Sequence, residues 1–209
     1  LSGLFFYLVR QAVAADNQSR LTTATLTSQA FVDKLDRNFY ERFGDVQAFA
    51  YNRLAVVAAE RDSASADLVD FMNTMTAYYV LYDLMMVVDL QGQPIAVNTK
   101  DKDGNKINSS PLLEANFLHE NWFKSCLSDK GPAGGAWYSD FMKNSHVARI
   151  YASEGRGVAF AAPIRDAQGK VLGVWYNFAS WKEITQPIRR DVEAELQKSD
   201  PDAVVILTN

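Results

Sequence analysis

The side chains able to do covalent or metal chemistry are few in this sequence, and they stand apart. Cys126 is its one cysteine and His119 and His146 are its two histidines, so neither an internal disulfide nor a zinc cluster can be assembled from them. No phosphate-binding loop, nucleophile elbow, His-Glu-x-x-His pair or dinucleotide fingerprint is present. Asp101-Lys102-Asp103-Gly104-Asn105 has the opening of a calcium loop, but Leu112 stands where the closing carboxylate is needed, so the segment reads as a solvated turn. An enzyme is therefore not expected, and no cofactor or metal is implied. Non-covalent recognition is better supplied. Trp122, Phe123 and Trp175 offer flat apolar walls, although large aromatics serve as core as readily as pocket. Tyr138 and Asp140 are two apart on one predicted strand and share a face, as do Phe160 and Ala162, and Trp175 and Asn177. Arg149 is predicted on the strand that pairs with that of Phe160, where it would anchor a carboxylate or simply face solvent. If Glu120 and Asp140 both face the aromatics, a cationic amine fits better than an acid.

These residues need a scaffold, and the chain can provide one. Its 209 residues are 48% hydrophobic and 22% charged, which is ordinary globular composition. Lys+Arg 21 against Asp+Glu 25 gives a net charge of −4, so no basic field draws a nucleic acid. Residues 1–91 contain only Gly3 and Gly44 and no proline, whereas all six prolines fall after that point. A helical half thus precedes a turn-rich half.

From about Asp16 to Glu60, apolar residues recur at three- and four-residue steps, as in Leu21, Phe31, Leu35, Phe39, Phe43, Val46, Ala50 and Leu54. One amphipathic helix is expected there, with Gly44 as a kink point, and a second over Ser65 to Tyr79. At about 1.5 Å per residue the first would run roughly 65 Å, too long for one small sheet domain to cover. It is expected to pair with a second copy of itself in a parallel homodimer. Strands are expected at 85–90, 95–98, 136–141, 147–152, 157–164 and 171–179, with two short helices between Pro111 and Lys130. A last helix runs from Trp181 to Lys198, with Ser180 as its cap and Pro187 inside it. Val204 to Asn209 reads as a final strand. Leu4 to Val9 before Arg10 reads either as the end of a transmembrane span or as the apolar end of a packed helix.

Several segments together resemble an extracytoplasmic Cache sensor domain, of the double-Cache type, found in bacterial methyl-accepting chemotaxis proteins and sensor kinases. They are Val87-Val88-Asp89-Leu90-Gln91-Gly92-Gln93-Pro94-Ile95-Ala96, Asn121-Trp122-Phe123-Lys124, Ala161-Ala162-Pro163-Ile164-Arg165-Asp166 and Gly169-Lys170-Val171-Leu172-Gly173-Val174. The resemblance covers about residues 75–190, and Phe39 to Ala50 is similar to a stretch of chemotaxis receptors. It implies an α+β fold in which a long N-terminal helix leads into a PAS-like antiparallel sheet module with a following helix. The divisions are 1–15 as the end of a transmembrane helix, 16–80 as a helical stalk, 81–181 as the ligand-binding module, and 182–209 as a helix and strand opening a membrane-proximal module. In amino-acid-binding Cache domains an Arg-x-Trp-Tyr motif holds the ligand carboxylate, with a tyrosine and an aspartate on later strands. The matching positions here are Glu120-Asn121-Trp122-Phe123, Tyr138 and Asn177. Both charged anchors depart, since glutamate repels a carboxylate and asparagine lacks the charge to pair with an ammonium.

The pocket is expected between strands 136–141, 157–164 and 171–179 and the covering segment 117–128, with Trp122, Phe123, Tyr138, Asp140, Arg149, Phe160, Trp175 and Asn177 as ligand contacts. The function implied is a periplasmic sensor domain of an inner-membrane chemoreceptor. Its partners are a small organic ligand (an amine, an amino-acid-like molecule or a carboxylate), a second copy of the chain, and the membrane through flanking helices. The alternatives are the sensor of a histidine kinase or cyclase, or a dimerisation domain with a vestigial pocket.

Overall fold

A computed structural model of the chain describes residues 2–128, 132–198 and 201–206, with side chains from residue 10 onward except those of 12, 15, 132 and 133. Contacts divide it into two compact units, Leu1–Asn38 with Gln186–Asn209, and Phe39–Thr185.

Within the unit 39–185 the helices obey their local signals. Helix α1 (Ser2–Ala50) contributes its last turns here. It runs straight through Gly44, whose missing Cβ faces open space. It ends instead where Asn52 turns extended and its side-chain oxygen accepts the Leu54 amide at 2.8 Å, capping α2 (Arg53–Arg61). The single helix expected to Glu60 is thus two, because an asparagine side chain that satisfies a free amide starts a new helix more effectively than one glycine bends an old one. Ser65 caps α3 (Ala66–Tyr79), accepting from Leu68 N at 3.2 Å.

Six antiparallel strands follow: β1 (Tyr82–Asp89), β2 (Pro94–Val97), β3 (Trp137–Tyr138), β4 (Met142–Lys143), β5 (Arg156–Arg165) and β6 (Val171–Ser180). Their order is β2-β1-β6-β5-β3, with β4 also on β5. Three aspartates make the tight turns by accepting two backbone amides each on one carboxylate oxygen. Asp89 does so between β1 and β2, and Asp166 between β5 and β6. Asp101 does the same for Asp103 and Asn105, so the calcium-like segment is a turn closed on itself.

Two expected strands differ. Residues 147–152 belong largely to a helix, α7 (Ser145–Ile150), because the Asn144 carboxamide accepts from His146 N and Val147 N and leaves Val147 buried one turn in. The strand expected at 136–141 is short, with Asp140 in a bend beyond it. Between β2 and β3 lie α4 (Ser110–Leu113), α5 (Asn121–Leu127) and α6 (Pro132–Gly135).

The sheet is buried on both faces. One face carries Leu84, Met86, Val88, Ala159, Ala161, Val174, Tyr176 and Phe178, packed against Leu112, Phe117, Trp122, Phe123, Cys126 and Val147. On the other, Trp175 meets Phe49 and Phe71 at ring-centroid distances of 5.6 and 6.2 Å. Helices α1 to α3 therefore cover one side, and α4, α5 and α7 cover the other.

In the other unit, Phe31 and Leu35 of α1 pack with Ile188, Val192 and Leu196 of α8 (Trp181–Leu196) and with Val205. The Val205 amide donates to Glu193 Oε1 at 3.0 Å. Residues 203–206 form no strand, and the rest of the expected final strand, 207–209, lies outside the described residues. No helix of the described residues is long and apolar enough to cross a membrane.

Candidate functional site

Where β1 and β6 run side by side, Leu84, Met86 and Tyr176 floor a cavity of about 230 Å³. One wall is Phe117, Glu120 and Trp122, at and before the start of α5; the other is Met142 to His146, the passage from β4 into α7. Aromatic packing shapes it. Trp122 stands 4.7 Å from Tyr176 and 5.6 Å from Phe117, and Phe117 in turn lies 5.6 Å from His146. Phe123, fully buried, backs Trp122 edge-on.

The polar groups of this cavity converge on its walls. Asn144 is held from two sides: its oxygen caps α7 and its Nδ2 donates to the Tyr176 hydroxyl at 3.2 Å. Burial raises the Tyr176 phenol well above its ordinary range, so it is neutral and remains able to donate. His146 is held below the ordinary imidazole range, first by burial and then by the nearby Arg149 guanidinium, with Glu120 opposing. At neutral pH the ring is uncharged. Glu120 and Lys143 bring one charge of each sign, and both are exposed at the cavity's edge. Such a site can hold a small amphipathic molecule by stacking, by hydrogen bonds to Asn144 and Tyr176, and by charge pairing.

The residues singled out from the sequence are divided by the sheet. Trp122 lines the cavity and Phe123 supports it. Tyr138, Phe160, Trp175 and Asn177 all lie on the opposite face, as their register shows: Tyr138 pairs with Phe160, Phe160 with Asn177, and Trp175 and Asn177 sit beside Val87 and Met85. There Trp175 Nε1 donates to Asn177 Oδ1 at 2.6 Å, both residues being fully buried. Tyr138 is exposed and meets the edge of Phe43. Asp140 is exposed in its bend, and Arg149 sits on α7 rather than a strand, lining a smaller adjoining cavity. The cavity-lining residues that the sequence reading did not single out include Tyr176, Lys143, Asn144 and His146. Asn144-Ser145-His146 carried a signal, an asparagine placed to cap a helix, whereas nothing in β6 marks which of two buried faces Tyr176 takes.

The helix-covered face holds its own polar cluster. Asp45 Oδ1 accepts from the Tyr79 hydroxyl at 3.1 Å and Oδ2 from the Tyr82 hydroxyl at 3.0 Å. Arg42 Nε approaches the same Oδ2 at 2.7 Å, and the guanidinium lies 5.2 Å from the Tyr79 ring centre. Burial and the Asp45 carboxylate both raise the Tyr82 phenol. The end of α1 is thereby tied to α3 and to the first residue of β1.

No family model matches the sequence, and no curated protein matches it. Solved structures do match the fold. The sensor domain of the V. cholerae histidine kinase DctB superposes with a TM-score of 0.55 at 16% identity, over 81% of this chain and 60% of that one. The extracellular domain assigned to a histidine kinase, vpHK1S-Z8, gives 0.54 at 11% identity over 82% and 60%. A domain assigned to a sensory box/GGDEF family protein of Vibrio parahaemolyticus gives 0.54 at 9% over 82% and 63%. The chain spans about three-fifths of the length of each. The fold is thus α+β and PAS/Cache-like, a helix-led antiparallel sheet shared with these domains.

Proposed function

We propose that this chain is the extracytoplasmic ligand-binding domain of a transmembrane chemoreceptor, which binds a small organic molecule non-covalently and passes the event to its helices. The cavity between β1, β6, α5 and α7 carries this reading, because it joins apolar walls to a few fixed polar groups, the usual make-up of a small-ligand site. At about 230 Å³ it suits a molecule of a few heavy atoms, and Glu120 beside Trp122 and Phe117 favours one bearing an ammonium. Residues 81–181 form the binding module and 16–80 the stalk in this reading, with the domain in the periplasm and anchored in the inner membrane by flanking segments. Leu21, Leu26 and Val32 of α1 are each more than half exposed, which supports pairing with a second copy in a parallel homodimer. The sensor domain of a histidine kinase or cyclase is the second reading, favoured by the proteins to which the superposed domains belong.

A thermal-shift screen of the whole chain against amines, amino acids and carboxylates tests the proposal. A ligand at 100 times its Kd stabilises by about 2.7 kcal/mol. The expected result is a hit whose binding weakens at least fivefold in Glu120→Gln and in Trp122→Phe, with the fold intact. Turnover of a panel compound, or a hit indifferent to both substitutions, would overturn it.

A further inference from the structure

We propose that the cavity has a second chamber which receives the anionic end of an extended ligand, so that the site is built for an aliphatic ω-amino carboxylate with its ammonium at Glu120 and its carboxylate at Arg149. The inference rests on the reading of the main cavity as the ligand site. Next to that cavity lies a smaller one of about 80 Å³, walled in part by Asn108, Pro111, His146 and Arg149. Leu112 and His146 line both, so the two chambers are neighbours across those side chains. A water molecule in the liquid occupies roughly 30 Å³, so the smaller chamber has room for a group the size of a carboxylate and little more.

The charges are unequally divided between the chambers. The larger is lined by Glu120 and Lys143, one of each sign, whereas Arg149 lines only the smaller and stands there without an acidic neighbour in the lining. An α-amino acid carries ammonium and carboxylate on one carbon and cannot place one in each. A chain of several methylenes can, passing Leu112 with the Phe117 and Trp122 rings beside it. This polarity is the reverse of the one implied by an arginine at position 120: the acid anchors on α7, and the segment before α5 takes the amine.

His146 at the junction links binding to protons. The charged groups facing it are Arg149 on its own helix, Glu120 before α5 and Lys143 on β4. A carboxylate arriving beside the imidazole favours its protonation, so the complex takes up a proton and affinity rises as pH falls from 8 to 6. An amine lacking the carboxylate has no such partner for His146 and gains nothing from the fall.

The test is calorimetric titration of the whole chain with the series from 3-aminopropanoate to 6-aminohexanoate, alongside the n-alkylamines and n-alkyl carboxylates of matching length. One or more of the amino carboxylates should bind at least tenfold tighter than its amine and its acid. In Arg149→Gln, whose side chain is exposed so that the fold is kept, that advantage over the amine should vanish while the amine binds as before. Glu120→Gln should do the converse. In His146→Gln the tightening between pH 8 and 6 should disappear. An amine that binds as well as the amino carboxylate, or an Arg149→Gln protein with unchanged affinity, would overturn the second chamber and leave the main cavity standing. Loss of the carboxylate preference in Lys143→Gln but not in Arg149→Gln would move the acid to the larger chamber and also refute the proposal. If no member of any series binds, the inference fails, and the wider screen above then decides the main cavity separately.

Discussion

Replacing Asn177 by alanine is expected to weaken the fold and to leave ligand affinity within twofold. The carboxamide accepts the Trp175 indole N–H at 2.6 Å in a place where neither residue reaches solvent. Truncation leaves that donor buried with no acceptor, at a cost of about 1 to 3 kcal/mol. Asn177 Nδ2 itself has no hydrogen-bond partner among the described residues, so alanine also removes a buried orphan donor, and the single-variant loss understates the bond. A double-mutant cycle separates the two effects. In a Trp175→Phe background there is no indole donor to orphan, so Asn177→Ala should cost about 1 to 3 kcal/mol less there than in the parent. For a domain of this size that difference is roughly 2 to 12 °C in Tm, at about 2 to 4 °C per kcal/mol. Urea titrations followed by far-UV circular dichroism measure all four corners of the cycle. Additive costs would mean that the 2.6 Å contact contributes nothing, and the argument from buried satisfaction would be wrong.

Other substitutions probe the remaining polar and backbone features. Burial, with Glu183 as second cause and Lys102 opposing, raises the Asp83 carboxyl to about 7. The folded protein therefore binds the proton more tightly than the unfolded chain, whose aspartates titrate near 3.9. Stability from this group is full below about pH 4 and is lost as pH rises toward 7, so Asp83→Asn should gain on the parent at pH 8 and not at pH 4 in paired melts. Arg42→Met removes the cation beside the Asp45 carboxylate, which is only 18% exposed, and should cost about 3 kcal/mol or more. Adding Asp45→Asn should recover part of that loss, whereas a further fall would count against the pairing. Gly92 has φ of 81° and an added Cβ would sit 2.4 Å from the Leu118 backbone nitrogen, so Gly92→Ala should destabilise by more than the roughly 1 kcal/mol of the dihedral alone, as read by denaturant melts. Burial pushes the Cys126 thiol up to about 12, and a maleimide should label it only once denaturant opens the fold.

The sequence made the elements legible where a side chain acts locally. The helix from Ser65 and the breaks between strands 85–90 and 95–98 and between 157–164 and 171–179 were readable, because the Ser65 cap and the Asp89 and Asp166 turns that make them each span two to four residues. The same kind of signal at Asn144 was present but was outweighed by the β-branched look of the segment after it, and α7 was read as a strand. The face on which the cavity lies was not legible, for another reason. Alternation tells which residues share a face, and Trp175 with Asn177 do share one, but β5 and β6 are buried on both faces over most of their length. With no polar side to mark solvent, nothing local says which face the cavity takes, and that is settled only by α1 to α3 packing on one side. Trp122 was legible because its position before a glycine break placed it on the covering segment, independent of strand parity.

Strand β1 contains a counting rule. Tyr82, hydrogen-bonded to Asp45, pairs with Ala179 on the helix-covered face, whereas Leu84, only two residues on, pairs with Phe178 on the cavity face. Residues two apart in a regular strand point the same way, and these do not, because the register shifts between them. The irregularity acts as a parity switch. Deleting Asp83 would make Tyr82 and Leu84 consecutive, and plain alternation would then keep Tyr82 toward Asp45 and Leu84 toward the cavity, opposite Ala179 and Phe178 as now. A deletion farther along, within 85–89, has no irregularity in the pairing with β6 to absorb it, and the residues beyond it turn over to the opposite face. The tie between helix α1 and the cavity floor therefore depends on the count of residues in the regular part of the strand as well as on their identity. Position 83 is where the strand can lose a residue without exchanging its faces.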